Sequence, residues 1–124
     1  MRAFIYAADL HCETCGDALR QSLARPEGMD PDDECTWDSD AFPKGPYSEG
    51  GGEADTPSHC GSCGVFLENP LTPDGDAYAR AAILEASGLP DDGEHAWSDH
   101  AEAAERNGRH VAAEWARHYF AWGH

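Results

Sequence analysis

Two short segments of the chain, offset by 48 residues, repeat one another: His11-Cys12-Glu13-Thr14-Cys15-Gly16-Asp17-Ala18-Leu19 and His59-Cys60-Gly61-Ser62-Cys63-Gly64-Val65-Phe66-Leu67. Five of the nine aligned positions agree, namely the His, both Cys, the Gly and the Leu. The two-residue spacer in each Cys-x-x-Cys brings both sulfurs to one side of a tight turn, where they occupy two corners of a tetrahedron. The Gly after the second Cys can take positive φ, which lets backbone N–H groups point at the sulfurs. Two such turns converging on one ion complete a four-cysteine site from Cys12, Cys15, Cys60 and Cys63. No coordination position is then left open, so the expected cofactor is one structural Zn2+. Such an ion contributes about 10–16 kcal/mol in small domains, against a net stability of about 5–15 kcal/mol. A small, Gly-rich, acidic chain needs a staple of that size.

On these residues the chain resembles the zinc-ribbon and zinc-knuckle families, in which paired Cys-x-x-Cys-Gly turns clasp one ion. The resemblance covers residues 11–16 and 59–64. It departs from the usual pattern in two ways. The 44 residues between Cys15 and Cys60 exceed the usual spacing, and a helix is expected after the first knuckle where a ribbon has a strand. Residues 50–71 are also similar to uncharacterised small proteins of phages and bacteria. That likeness implies an intracellular or phage-encoded accessory role, in the host cytoplasm if phage-encoded, and no activity.

Charge narrows the partners. Eight Lys and Arg stand against 24 Asp and Glu, a formal charge of -16. The basic residues are scattered and form no patch, so direct nucleic-acid binding, which rests on neutralising phosphates, is not expected. Binding to an anionic membrane surface is disfavoured for the same reason. The acidity serves solubility, or it engages a basic protein surface, and the preferred reading is a protein–protein interaction or accessory module. A nucleic-acid mimic, whose carboxylates imitate phosphates, is the alternative. The short apolar run Ala3–Ala8 is interrupted by Asp9 and His11, so neither a signal segment nor a membrane span is expected. A cytoplasmic chain keeps its thiols reduced, and its five cysteines then suggest metal or redox chemistry.

Residues 2–8 read as a strand and 17–24 as a helix with Leu19 and Leu23 on one face. Residues 26–58 contain no Ile, Leu or Val, but five Pro and a Gly50-Gly51-Gly52 run. This acidic segment cannot build a core of its own, and Trp37, Phe42 and Tyr47 are expected to pin it to the domain. Val65-Phe66-Leu67 is expected as a short strand pairing with residues 3–8. Thr72 caps a helix with Pro73 at its first position and an apolar face at 77, 81 and 84, stopped at Ser87-Gly88-Leu89-Pro90. A second helix covers 98–106, capped by Ser98. A third covers 109–121, with Val111, Ala112, Trp115, Tyr119 and Trp122 along one stripe. The expected architecture is α+β in a single domain, 1–124. A zinc clasp comprises 1–25 and 59–71, the acidic Gly/Pro-rich loop is 26–58, and 72–124 forms a helical part of about three short helices that pack on the clasp.

Other chemistries fit less well. A thiol–disulfide role for Cys12 and Cys15 gains from a helix starting near them, but leaves the second pair unexplained. A zinc deaminase matches H-x-E at His11–Glu13 and C-x-x-C at Cys60–Cys63, but leaves Cys12 and Cys15 idle. His11 or His59 could replace a thiolate, although both read as exposed neighbours of the site. Cys35 reads as a free thiol. The row His110, Glu114, His118 on one helical face reads as solvated, and the Asp-rich run 30–34 lacks calcium-loop spacing. No serine lies in a nucleophile elbow, and glycines 50–52 precede acidic residues, so no phosphate cradle and no catalytic residue is assigned.

Overall fold

A computed structural model describes residues 1–121. The chain is α+β, with a small antiparallel sheet and a helical C-terminal part, and it divides into two compact units, Met1–Pro70 and Leu71–His124.

The first unit begins with β1 (Ala3–Tyr6) and β2 (Asp9–Cys12), paired antiparallel with Ala3 opposite Cys12 and Tyr6 opposite Asp9. The expected single strand over 2–8 is therefore the first half of a hairpin. Its turn is Ala7-Ala8, both at positive φ (52° and 61°). Such a two-residue turn normally advertises itself with Asn or Gly; alanine carries no such signal, and β2 stays hidden in the sequence. α1 (Glu13–Ser22) starts directly from the end of β2, earlier than the expected 17–24, and takes the second cysteine of the first knuckle into its first turn. Gly16 is accordingly helical rather than a positive-φ turn residue. Its missing Cβ serves packing instead: a methyl there would lie 2.0 Å from Cδ2 of the buried Phe4.

β3 (Lys44–Tyr47) adds to the other edge of β1, giving the order β2-β1-β3. Both edges of β1 are thus taken, and Val65-Phe66-Leu67 does not join the sheet as expected. It folds back on its own knuckle, through Cys60 N–H to Val65 O (2.9 Å) and Leu67 N–H to Ser58 O (2.9 Å). Buried Asn69 holds the base of this loop: its Oδ1 accepts from Ser58 N–H (2.7 Å) and its Nδ2 donates to Thr56 O (3.1 Å) and Pro70 O (3.2 Å).

Segment 26–58 is ordered without an apolar core of its own. Asp30, Asp33 and Asp38 each accept the backbone N–H two residues on (3.0 Å in each case), so carboxylates close the turns that precede β3. Trp37 and Phe42 are buried, joined by Trp37 Nε1–H to Phe42 O (3.1 Å), and the expected pinning is observed. Arg20 of α1 reaches across to donate to Pro43 O (3.1 Å) and Gly45 O (3.3 Å), its guanidinium 5.0 Å from the Phe4 ring and 5.6 Å from Phe42. Glu34 accepts from Tyr47 O–H (2.8 Å) and Gly45 N–H (2.9 Å). Burial, and then the Glu34 carboxylate, push the Tyr47 phenol up to about 12.

The second unit is a helical assembly of α2 (Pro73–Ser87), α3 (Trp97–Arg106) and α4 (His110–Tyr119). α2 has the expected ends, with Thr72 Oγ1 accepting from Gly75 N–H (3.1 Å) and Gly88 left-handed at φ 70°. Its buried face is Gly75, Ala79, Ile83 and Ala86, not the expected 77, 81 and 84. A helix with alanine on several faces gives no clear apolar stripe, and neighbouring helices choose the side. α3 begins one residue before the expected cap, with Asp99 accepting from Ala96 N–H (3.0 Å). The core joins Ile83 and Ala86 to Ala101, Ala104, Ala112, Ala113 and Ala116, and Trp97, Trp115 and Phe120 pack against it half-buried. Of the expected stripe on α4, Ala112 lies in this core and Trp115 packs against it, while Val111 points outward at 51% exposure. Trp122 lies outside the described residues. Asn107 fastens the ends of α2 and α3 by donating to Ala86 O (3.0 Å) and Ser87 O (3.2 Å).

Gly16→Ala should cost about 1–3 kcal/mol or more, because the new methyl must displace a packed Phe4 ring. Urea denaturation of the metal-loaded chain checks this, and an unchanged midpoint would contradict the close approach.

Candidate metal centre

The sulfurs of Cys12, Cys15, Cys60 and Cys63 all lie within 4.8 Å of one another. They are positioned to coordinate one metal ion, and they form the only group of three or more candidate ligands among the described residues. None is in a disulfide. Cys12 Sγ and Cys63 Sγ, from different knuckles, are 3.8 Å apart, far beyond a bonded pair at about 2.05 Å.

Each knuckle is built by a different device. Cys12 is both the last residue of β2 and the N-cap of α1, and its sulfur accepts from Cys15 N–H at 3.4 Å. A sulfur here replaces the oxygen of an ordinary cap, and the positive end of the helix dipole faces the thiolates. The second knuckle is a turn closed by Gly64 N–H to Cys60 O (2.8 Å), with Gly64 at φ 79° as the sequence suggests. Cys60 Sγ accepts from Ser62 N–H (3.4 Å) and Cys63 N–H (3.5 Å).

Two further bonds join the knuckles directly. Gly61 N–H donates to Leu10 O (2.8 Å), and His11 Nδ1 lies 2.9 Å from Ser62 Oγ. His11 is buried, contrary to its expected exposure, because it lies on β2 between the hairpin and the second turn. His59 is half-buried, its Nδ1 3.0 Å from Gly64 O and its ring stacked on Phe66. Neither histidine belongs to the cluster of ligands. The recurrence of His before each Cys-x-x-Cys was the only sequence signal for these contacts. Cys35 is exposed and stands outside the cluster, and His110, Glu114 and His118 do not converge into one. Glu13 pairs with Arg2 at the surface.

Electrostatics set the sulfurs apart. Hydrogen bonding to Cys12, and then to Cys63, pushes the Cys15 thiol up to about 12. Burial is the main cause that raises Cys12. For Cys60, burial again acts upward, but the N–H groups of Cys63, Cys12 and Ser62 and the Cys63 thiol outweigh it and bring the thiol down to about 6. A metal therefore has to displace protons from this cluster, and acid opposes its binding. Cys12 and Cys60 also belong to the apolar core of the unit, with Ala3 and Leu67, so the site and the core are one structure.

Comparison with known protein families, curated proteins and solved structures finds no match. The reading of the centre rests on its geometry. No helix among the described residues is long and apolar enough to cross a membrane.

Ser62→Ala removes the partner of a buried imidazole while leaving all four sulfurs in place. It should lower the stability of the chain by about 1 kcal/mol. Equal denaturation midpoints for variant and parent would show that His11 and Ser62 contribute nothing to joining the knuckles.

Proposed function

We propose that the chain is a small interaction protein whose first unit is organised by a single structural zinc ion held by Cys12, Cys15, Cys60 and Cys63. The observation that carries this reading is the cysteine cluster itself. A zinc ion about 2.3 Å from each of four tetrahedral sulfurs sets them about 3.8 Å apart. The Cys12–Cys63 sulfur separation of 3.8 Å meets that requirement. Thiolate-only donors favour zinc over the hard cations, which take oxygen ligands.

Four sulfurs fill the coordination shell, which supports a structural ion over a catalytic one. A deaminase-like role for Glu13 needs an open position for water, and this Glu is engaged with Arg2. The interaction role draws on the net charge of -16, which steers a basic protein surface toward the chain. Tyr78 and Val111, exposed at 50% and 51%, border a groove of about 510 Å³ in the second unit, and such a patch is common at contact surfaces. Several carboxylates of segment 26–58 are occupied with local turns. This favours a general acidic surface over an ordered imitation of phosphates.

Metal analysis of the purified protein should find one zinc per chain, released by a strong chelator together with loss of the first unit's structure. An iron–sulfur chromophore, or a fold indifferent to chelation, would overturn the assignment. Binding to a lysine- and arginine-rich protein should weaken several-fold as salt rises from low to physiological strength. An affinity that ignores salt would remove the electrostatic part of the proposal.

A further inference from the structure

The four sulfurs differ in protection. In each knuckle the first cysteine is capped by backbone N–H groups, Cys12 by Cys15 and Cys60 by Ser62 and Cys63. Among the described residues, neither Cys15 Sγ nor Cys63 Sγ accepts a backbone N–H. Such donors withdraw charge from a thiolate and damp its nucleophilicity, so the second cysteine of each knuckle is the more reactive one. Exposure then separates those two: Cys15 is half-buried and Cys63 is exposed. Cys12, Cys15 and Cys63 also line one open cavity of about 500 Å³ beside Met1 and Val65, ample for a small oxidant.

We propose that Cys63 is a peroxide-sensitive modification site, and that its oxidation closes a disulfide with Cys12 and expels the metal. The proposal rests on the zinc reading above. In the first step the Cys63 thiolate attacks one oxygen of hydrogen peroxide. The O–O bond breaks, Cys63 becomes a sulfenic acid and hydroxide leaves. In the second step a neighbouring thiolate attacks the Cys63 sulfur. An S–S bond forms, the S–O bond breaks and a second hydroxide leaves. Two thiolates have then given up two electrons, and one peroxide has become two hydroxides.

Cys12 is the thiolate placed for the second step, since its sulfur already lies 3.8 Å from that of Cys63. Cys60 is the poorer choice, because the N–H groups of Ser62 and Cys63 both hold its sulfur, whereas Cys15 supplies a single N–H to that of Cys12. With two of its four thiolates consumed, the site loses most of its hold on zinc. The bond formed would span 51 residues and join the first knuckle to the second. The knuckles therefore stay tied when the ion departs, and reduction restores the site without refolding from separated halves. Metal occupancy of this protein thus answers to peroxide.

The test treats the zinc-loaded full chain with hydrogen peroxide, follows zinc with a chromogenic chelator and maps disulfides by peptide mass spectrometry. The expected result is one zinc released per chain in step with a Cys12–Cys63 disulfide, both reversed by a thiol reductant. Cys35→Ser should release zinc at the parent rate, because that exposed thiol stands outside the cluster. Zinc-loaded Cys63→Ser should release it roughly tenfold more slowly or worse. Should that variant fail to load, the disulfide map of the parent decides alone. A dominant Cys12–Cys15, Cys60–Cys63 or Cys35 linkage, or zinc release with Cys63 unmodified, would overturn the proposal while leaving the zinc site standing. A purified chain without zinc would strike the zinc reading and this inference together.

Discussion

The first unit depends on gathering four cysteine sulfurs, from segments 48 residues apart, into a volume a few ångströms across. Thiolates at such separations repel one another, and thiols there would pack no better than small apolar groups. A metal cation bound there would turn the same arrangement into a strong link between the two segments. The backbone prepares for it: N–H groups of Cys15, Ser62 and Cys63 already point at sulfur, and the amino end of α1 faces the cluster. Cys12 and Cys60 share the core with Ala3 and Leu67, so an ion held by these sulfurs would bear on core packing as well as on coordination.

Segment 26–58 shows how a stretch without Ile, Leu or Val becomes ordered. Aspartates close its turns by accepting backbone N–H groups, and a few aromatic rings supply burial. Arg20 joins it to α1 by placing one guanidinium between Phe4 and Phe42 and against two carbonyls. Some of the acidity that dominates the chain's charge is thus structural. Most of the carboxylates, Asp30, Asp33 and Asp38 among them, stay exposed and give the surface its sign.

The second unit solves a different problem. Its seam is alanine, which brings helix backbones close but contributes little volume. Half-buried rings cover that seam, and the Arg80 guanidinium sits 4.4 Å from the Phe120 ring and 5.2 Å from Trp97. Buried His100 and Ser87, 3.0 Å apart, join α2 to α3 where alanine offers nothing directional.

The sequence by itself determined the pairing of the two Cys-x-x-Cys turns, the acidic character and the ends of α2. Each of these rests on local chemistry: fixed spacing, counted charge, or a cap within one turn. The tertiary structure alone decided the β2 strand, hidden behind an Ala-Ala turn; β3, within a stretch of no Ile, Leu or Val; and the buried face of α2, undetermined among many alanines. It also reversed two local readings, burying His11 and turning Gly16 from a turn residue into a helical one that admits Phe4. Those outcomes depend on partners far along the chain, such as Ser62 for His11 and Phe4 for Gly16, and no local pattern encodes which distant surface arrives.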